Sequence, residues 1–273
     1  MKASQRRIRL GVLGWVAVAV LGIAVFVALF APLIAPHDPT GGSILDQLQP
    51  PNPTHWLGTD VDGNDILSRL MYGARPSLLG PLLVVTLALL LGVPLALISA
   101  WKGGAFDQVI GRGLDLIFAF PTVLIAAIII LAIGRGITAA IIAVSIAYIP
   151  YTARITRAAA LRERHKPYII ACEVQGLSTF RIFTRHLLPN LSRFLAAQAT
   201  IAFGFALVDL AALSFVGIGI LPPAPDWGVM VGDTTSLVQG SYASIAAAAV
   251  CILAVVAAFT IIGNRLSESS ERQ

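Results

Sequence analysis

Charged residues are scarce in this sequence, and that scarcity limits the class of protein it can encode. Asp, Glu, Lys and Arg together make up 12% of the 273 residues, and 57% of the residues are hydrophobic. Soluble domains carry about 25% charged residues, roughly twice this share. The composition excludes an ordinary water-soluble domain, so we expect most of the chain to lie in lipid.

Cysteine is nearly absent as well. Cys172 lies in a polar segment and Cys251 in an apolar run, which gives neither a disulfide framework nor metal-ligand spacing. The phosphate-binding pattern G-x-x-x-x-G-K-[ST] does not occur in the sequence, so we do not expect this chain to hydrolyse ATP. No Ser/His/Asp or Cys/His set can be placed either. The sequence predicts a chain that is not an enzyme and carries no cofactor of its own.

The four histidines and one acidic run were the remaining candidates for metal ligands. We expect each histidine to be a satisfied surface residue, with His37 at a membrane boundary. Residues 60–65 superficially suggest a calcium loop. Counted from Asp60, however, positions six and twelve are Asp65 and Met71, where an EF-hand needs Gly and Glu. The sequence therefore predicts no metal site here, and instead an Asp/Gly turn that caps an amphipathic helix beginning near Asp65.

What the sequence does contain is a series of apolar runs. About 20 apolar residues cross a bilayer core of about 30 Å. The first run is too long for the 7–15-residue apolar region of a signal peptide, so we interpret it as a retained span. The fourth is short unless its helix continues through Pro150. The pattern predicts an all-α integral membrane protein with six transmembrane helices, at residues 10–34, 78–100, 114–133, 137–149, 195–220 and 243–262.

The basic residues predict the orientation of these spans. Sixteen of the 19 Lys and Arg residues fall in the N-terminal segment, the 101–113 loop, the 150–194 loop and the C-terminal segment. The other side holds Arg69, Arg75 and Arg135. By the positive-inside rule, both termini are then cytoplasmic. A net charge of +5 distributed in this way indicates membrane topology and not nucleic-acid binding.

Residues 166–190, which we call the elbow, form the longest polar interruption in the C-terminal, membrane-rich part of the sequence. We expect a short helix from about Tyr168 to end near Gly176, because glycine commonly follows a helix C-terminus. Ser178 is placed to cap a second helix that stops before Pro189. The pattern predicts a compact, rigid projection. The alternative is an amphipathic helix lying on the bilayer surface.

The elbow resembles a segment of a known family. Gly176, with the sequence IFTRHLLPN a few residues after it at 182–190, is similar to the cytoplasmic EAA loop of binding-protein-dependent ABC importer permeases. In that family the loop carries a coupling helix, which docks in a cleft of an ATPase subunit. Where the family has Glu-Ala-Ala, this chain has Ile170-Ala171-Cys172, and Glu173 stands about one turn later. The residues that the resemblance assigns to ATPase coupling are Ile170, Ala171, Glu173, Gly176, Ser178, Arg181 and Pro189.

Two further segments resemble the peptide and nickel branch of the same family. Residues 56–78 are similar to its GTD-x-x-G-R-D-x-x-S-R-x-x-x-G-A-R signature, with Asn64 where the branch has Arg. Residues 213–230 are similar to its L-S-F-L-G-L-G and P-P-x-P-x-W-G segment. We expect Trp227 to anchor at a membrane interface; a plain interfacial loop is the alternative. The residues implied for a binding-protein contact or gating loop are Asp60, Asp65, Pro223, Trp227 and Gly228.

Asp209 is the one carboxylate well inside a predicted span. Burying it there costs about 2.5–3.5 kcal/mol on insertion scales, so a functional position is the default interpretation. It is a candidate for the translocation path, facing an amine or cationic group of the cargo. A buried hydrogen bond to a neighbouring helix is the alternative.

The resemblance implies a type I ABC importer transmembrane domain in a bacterial plasma membrane. Residues 1–35 would hold a cytoplasmic tail and the first helix, 36–76 an extracytoplasmic loop, 77–264 the permease domain and 265–273 a cytoplasmic tail. The implied partners are a second permease, two ABC ATPases that bind ATP and Mg²⁺, an extracytoplasmic binding protein and membrane lipid.

The implied cargo is a dipeptide or oligopeptide. A permease for nickel chelates or haem is the alternative within the family. An ion-coupled secondary transporter is the alternative outside it, but that class predicts paired ionisable groups inside the membrane.

Overall fold

The computed structural model describes residues 11–271, with side chains up to residue 268. The expected N-terminal basic tail and the last two residues lie outside this range. Between residues 11 and 271 the chain is built of helices, with a 3₁₀ turn at Ile44–Asp46 and a π-helical turn at Phe183–Leu187. The α-helices are α1 Gly11–Ile34, α2 Ile66–Lys102, α3 Gly104–Phe118, α4 Thr122–Ile133, α5 Ile137–Arg164, α6 Pro167–Val174, α7 Thr179–Ile182, α8 Leu188–Phe215, α9 Trp227–Val231, α10 Thr234–Val238 and α11 Ala243–Glu271.

The all-helical membrane architecture is confirmed. Within the described range, five helices are long and apolar enough to cross a membrane, and α3 with α4 makes a sixth if the bent pair is one span. The third span, predicted at residues 114–133 as one helix, is broken in the structure. The chain turns by 89° between α3 and α4, where Pro121 lacks an N–H and disfavours a helical Phe120. Residues 104–113, expected in a loop, belong to α3.

Helix α2 begins well before the predicted span. Asp65 caps its N-terminus by accepting a hydrogen bond from the Ser68 backbone N–H at 2.8 Å, which confirms the helix start predicted near Asp65. Residues 66–76 of the predicted extracytoplasmic segment 36–76 therefore belong to α2, and the boundary of that segment stays a prediction. With 37 residues, α2 is about 55 Å long and extends beyond a bilayer core of about 30 Å. We call its N-terminal side the loop end and its C-terminal side the elbow end.

Two other prolines, Pro150 and Pro189, are accommodated within helices. Helix α5 continues through Pro150 to Arg164, as its short apolar run required. The helix that follows Ser178 does not end before Pro189, which corrects that prediction. A π-helical turn connects α7 to α8, with the Leu188 N–H donating to the Phe183 carbonyl. Pro189 then lies in the first turn of α8, where its missing N–H costs little. Likewise, α11 continues past the tail boundary expected at residue 265.

Small residues bring the central helices close together. A Cβ on Gly92 of α2 would lie 3.0 Å from the Thr152 Cβ of α5, and one on Gly263 of α11 would lie 2.6 Å from the Ile201 Cγ1 of α8. Membrane helices gain most of their association energy from such close packing. The main hydrophobic core lies among α2, α4, α5, α8 and α11, with α1 packed on its outside.

At the loop end, α9 is fastened to the start of α2. The Trp227 side chain is 3% exposed, and its indole N–H donates to the Leu70 carbonyl at 3.0 Å. The Ser77 hydroxyl donates to Asp226 Oδ2 at 2.9 Å and accepts from the Trp227 N–H at 3.2 Å. Trp227 is therefore a core residue and not the interfacial anchor predicted from the sequence. Its polar nitrogen finds a protein partner in place of water.

We expect Trp227→Phe to lower stability, because it removes a buried donor and leaves space at the α2–α9 contact. The loss should be about 1–3 kcal/mol. Thermal unfolding of the purified protein in one detergent measures it. Trp56→Phe is the matched control, since Trp56 is 69% exposed and should change little. Equal melting temperatures for the two variants would contradict the buried contact.

Candidate functional site

The elbow turns at Gly176 by a defined backbone motif. Gly176 has φ +74°, its N–H donates to the Glu173 carbonyl at 3.0 Å, and the Leu177 N–H donates to the Cys172 carbonyl at 3.1 Å. These two bonds form a Schellman motif, in which glycine takes the left-handed position. The predicted helix–glycine–helix turn is confirmed.

The elbow also has a small hydrophobic core of its own. Its centre is made of Ile169 and Cys172 from α6 and Ile182 from α7, all buried. Trp101 from the end of α2 packs against this centre, together with Tyr168 and Leu177. Two short helices that share a core with a long one cannot move separately from it. The elbow is therefore attached to the bundle as a rigid unit.

Three large apolar side chains of the elbow helices α6 and α7 are exposed among polar residues. Val174 is 83% exposed and Phe180 is 77% exposed, and Ile170 lies one helical turn before Val174 with about half of its side chain exposed. We call these three residues the apolar patch. Large apolar side chains exposed on a polar projection outside the apolar runs are typical of a protein-binding surface.

All seven residues predicted for coupling are exposed, and Ile170 is one of the three residues of the apolar patch. Ser178 precedes α7 at the N-cap position, but its side chain makes no capping hydrogen bond. The Glu173 carboxylate is 4.0 Å from the Arg164 Nε, so its partner lies in this same chain. Contact of any of these residues with an ATPase stays a prediction. Sequence reasoning missed Val174 as a member of the patch, although its i, i+4 spacing from Ile170 was visible.

Arg164, the last residue of α5, joins three helices at the elbow end. Its Nη1 donates to the Ala100 carbonyl at 2.9 Å and to the Trp101 carbonyl at 3.0 Å, both in the last turn of α2. Its guanidinium also lies 4.5 Å from the centre of the Trp101 ring. A cation at a helix C-terminus satisfies carbonyls that have no partner within the helix. Together with its proximity to Glu173 of α6, this fixes α2, α5 and the elbow to one another.

A second link runs from α5 to α8 through Tyr168. The Tyr168 hydroxyl donates to Glu163 Oε1 at 2.6 Å and accepts from the Asn190 side-chain amide at 2.8 Å. Burial and the neighbouring Glu163 carboxylate raise the pKa of Tyr168 to about 12, so the phenol stays protonated and donates at neutral pH. In addition, the Phe183 ring of the π-helical turn meets Trp101 edge-on at 4.9 Å. The elbow thus contacts α2, α5 and α8.

We expect Arg164→Ala to loosen the elbow while leaving the bundle folded. Without the guanidinium, the two α2 carbonyls lose a charged donor, and amides in residues 167–187 should exchange about tenfold faster, equivalent to about 1.4 kcal/mol. Hydrogen exchange with peptide-level mass spectrometry measures this. The control is Arg162→Ala, which removes the same charge from an exposed position on the same helix. Equal protection in both variants would show that Arg164 does not hold the elbow.

The two aspartates predicted at the loop end are buried and hold the loop together. Asp60 forms an ion pair with Arg69, with 3.3 Å between Oδ2 and Nε, and its Oδ1 accepts the Asn64 backbone N–H at 2.8 Å. The Asn64 amide also donates to both Asp60 oxygens at 3.2 Å. Asn64, which stands where the family signature has Arg, therefore holds the Asp60 carboxylate in place by hydrogen bonds. These contacts give Asp60 a structural position, and its part in binding-protein contact stays a prediction.

Asp65 is held in its ionised form. Burial alone would raise the pKa of this carboxyl. Hydrogen bonds from the Ser68 hydroxyl and backbone N–H, and from His55, hold its pKa below the ordinary value. The His55 Nδ1 lies 3.0 Å from Asp65 Oδ1. Gly228 is buried too. A Cβ at this position would lie 2.6 Å from the Ala211 carbonyl oxygen, so no larger residue fits without a shift of the backbone. Of the five residues predicted for the loop, Pro223 alone is exposed.

Asp209 of α8 meets α5 inside the bundle. The Tyr148 hydroxyl donates to Asp209 Oδ2 at 2.8 Å, and the Asp209 side chain is half-buried. This is the interhelical hydrogen bond that the sequence left as one of two alternatives. Tyr148 was not identified from the sequence, where a tyrosine in an apolar run gives no sign of its partner.

The fold and these motifs can be compared with known proteins. A family model described as the binding-protein-dependent transport system inner membrane component matches residues 92–272, and the N-terminal TM domain of oligopeptide transport permease C matches residues 6–51. The inward-facing MetNI methionine ABC transporter has a chain with a TM-score of 0.63 at 17% identity, covering 75% of this chain and 97% of that one. This second likeness concerns the fold.

Relatives in several bacteria match over nearly the whole chain. The dipeptide transport system permease protein DppC of Alkalihalophilus pseudofirmus is 36% identical over 90% of this chain and 81% of its own length. The DppC protein of Escherichia coli K12 is 37% identical, and the di/tripeptide permease DppC of Pseudomonas aeruginosa is 35% identical, each over 90% of this chain and 84% of its own length. The family is thus a set of membrane components and not of enzymes. This chain belongs to the binding-protein-dependent transport system inner membrane components and is an ABC importer permease.

Proposed function

We propose that this chain is one of two permease subunits that form the translocation path of an ATP-driven importer of dipeptides or oligopeptides. The relatives named for dipeptide and di/tripeptide transport support the cargo class. A second permease would complete the path, and an extracytoplasmic binding protein would deliver the peptide to the loop end.

We infer that the elbow end faces the cytoplasm. Sixteen of the 19 Lys and Arg residues are assigned to that side, and cytoplasmic loops carry an excess of basic residues. Both termini would then be cytoplasmic, in the inner membrane of a bacterium. The loop end, with residues 36–65 and α9–α10, would face the binding protein.

The single observation that carries the mechanism is an exposed apolar patch on a rigidly attached elbow. The patch would dock on an ATPase subunit that binds ATP and Mg²⁺. When the two ATPases close, each elbow moves with its ATPase. Because Arg164 and Trp101 hold the elbow to α2 and α5, the displacement passes to the spans as a rigid-body tilt. Alternating tilts would open the path first to one side of the membrane and then to the other.

The docking step is tested by Val174→Asp. A charge on the most exposed member of the patch would have to be desolvated against the ATPase, so we expect copurification of the ATPase with the tagged permease to fall at least tenfold. The measurement is the ATPase-to-permease ratio after extraction in mild detergent, together with peptide uptake in cells.

Val238→Asp is the matched control, because Val238 is 86% exposed but lies at the loop end. It should leave the ATPase ratio unchanged. Normal ATPase recovery with Val174→Asp would refute docking at the patch, and a loss in both variants would point to general misfolding.

Asp209 is proposed to face the path and to interact with the amino group of the peptide. We expect Asp209→Asn to lower peptide uptake by about tenfold with little change in protein abundance. Tyr148→Phe, which removes the other half of the hydrogen bond, should lower uptake much less. Uptake of labelled dipeptide, normalised to permease in the membrane, measures both. Equal defects in the two variants would make the pair a packing contact only.

A further inference from the structure

Three potential metal ligands meet at the loop end, although they are distant in the sequence. His37 follows α1, His55 lies in the connecting loop, and Asp65 caps α2. One ligand atom from each lies within 4.8 Å of the others, and this is the one such group of three among the described residues. The His37 Nδ1 is 3.8 Å from Asp65 Oδ2, and the His55 Nδ1 is 3.0 Å from Asp65 Oδ1.

The His37 nitrogen is the feature that hydrogen bonding leaves unexplained. Its Nδ1 atom is buried and has no hydrogen-bond partner. Buried polar atoms normally have one, and each exception calls for a cause such as an ion. The two imidazole rings lie 4.7 Å apart, so both nitrogens border the same small volume beside a buried carboxylate.

We propose that His37, His55 and Asp65 bind a divalent transition-metal ion of the Zn²⁺ type. Zinc takes imidazole nitrogen and carboxylate oxygen at about 2.0–2.2 Å, which places neighbouring ligands of a tetrahedral site about 3.3 Å apart. The distances of 3.0 and 3.8 Å lie on either side of this value. The two distances end on different oxygens of Asp65, and all the ligand atoms lie within 4.8 Å of one another, so binding one ion requires the three side chains to move closer together.

The surroundings of the three ligands fit a metal site. The Ser68 hydroxyl and backbone N–H donate to Asp65 Oδ2 at 2.7 and 2.8 Å, and the same hydroxyl accepts the His37 backbone N–H at 3.1 Å. Hydrogen bonds of this kind orient the ligands of metal sites. The His55 ring then carries its proton on Nε2, and its Nδ1, which otherwise faces Asp65, donates its lone pair to the ion.

Such an ion would join the end of α1, the connecting loop and the start of α2. These segments otherwise meet through hydrogen bonds and through contacts such as the Arg69–Asp60 ion pair. Three protein ligands leave one tetrahedral position for water or an external ligand, and the partly exposed His37 side chain shows that the group lies near the surface. The site does not depend on the proposed cargo or on the ATPase.

The test is Zn²⁺ binding to the full-length permease complex, purified with a tag that contains no histidine and freed of metal with a chelator. Isothermal titration compares the wild type with His37→Phe, chosen because the His37 ring makes no hydrogen bond that the change would break. We expect about one high-affinity Zn²⁺ per wild-type chain and at least tenfold weaker binding in the variant. His165→Phe, at the elbow end, is the matched control and should bind as the wild type does.

Two further measurements complete the test. Co²⁺ should give the wild type the absorption bands of a tetrahedral site, and His37→Phe should lack them. If His37→Phe does not fold, His37→Leu replaces it in the same comparison. Equal Zn²⁺ affinity in the wild type and the His37 variant, or loss of binding in His165→Phe to the same extent, would overturn the proposal and leave a hydrogen-bonded His55–Asp65 pair.

Discussion

The rest of this structure depends on the contact between the guanidinium of Arg164, the last residue of α5, and the last turn of α2. The guanidinium satisfies two carbonyls that the helix cannot satisfy itself, lies over the Trp101 ring and faces Glu173 of the elbow. A charged donor between two helix ends has a restricted geometry, so the helices cannot slide past one another without losing it. The elbow is therefore part of the bundle and not an appended loop.

The two ends of the bundle bury different kinds of groups. The elbow end combines a small apolar core and a glycine turn with polar side chains that are partly exposed, such as Arg164 and Glu173. The loop end uses buried polar groups, with Asp60, Asp65 and Asp226 each satisfied by hydrogen bonds or an ion pair. Buried polar networks specify one arrangement, because each unpaired member is costly. We therefore expect the loop end to hold one arrangement relative to the helices.

Much of this fold could be predicted from local chemistry. The starts and turns marked by Asp65 and Gly176 were correct, because a cap and a left-handed glycine act over three or four residues. The spans followed from apolar runs. Predictions failed at Pro121 and Pro189, whereas a helix that continues through Pro150 was one of the predicted outcomes. Pro121 accompanies a sharp bend, whereas Pro150 and Pro189 are absorbed within helices, and only tertiary packing and the π-helical turn decide between these.

Contacts between distant segments could not be predicted. Trp227 reads as an interfacial residue in sequence, but its indole N–H reaches Leu70, more than 150 residues earlier. In the same way, His37 and His55 gave no sign that they would face one carboxylate. A single sequence shows what each residue can bind, whereas the fold decides which residues meet.

The π-helical turn at Phe183–Leu187 has a geometric consequence for the apolar patch. A π turn closes its hydrogen bond over five residues and an α turn over four, so it contains one residue more. Each residue of an α-helix advances the direction of its side chains by about 100° around the axis. The additional residue therefore sets the direction, around the helix axis, in which the Phe180 side chain points relative to α8. Without it, this part of the patch would face another side of the molecule.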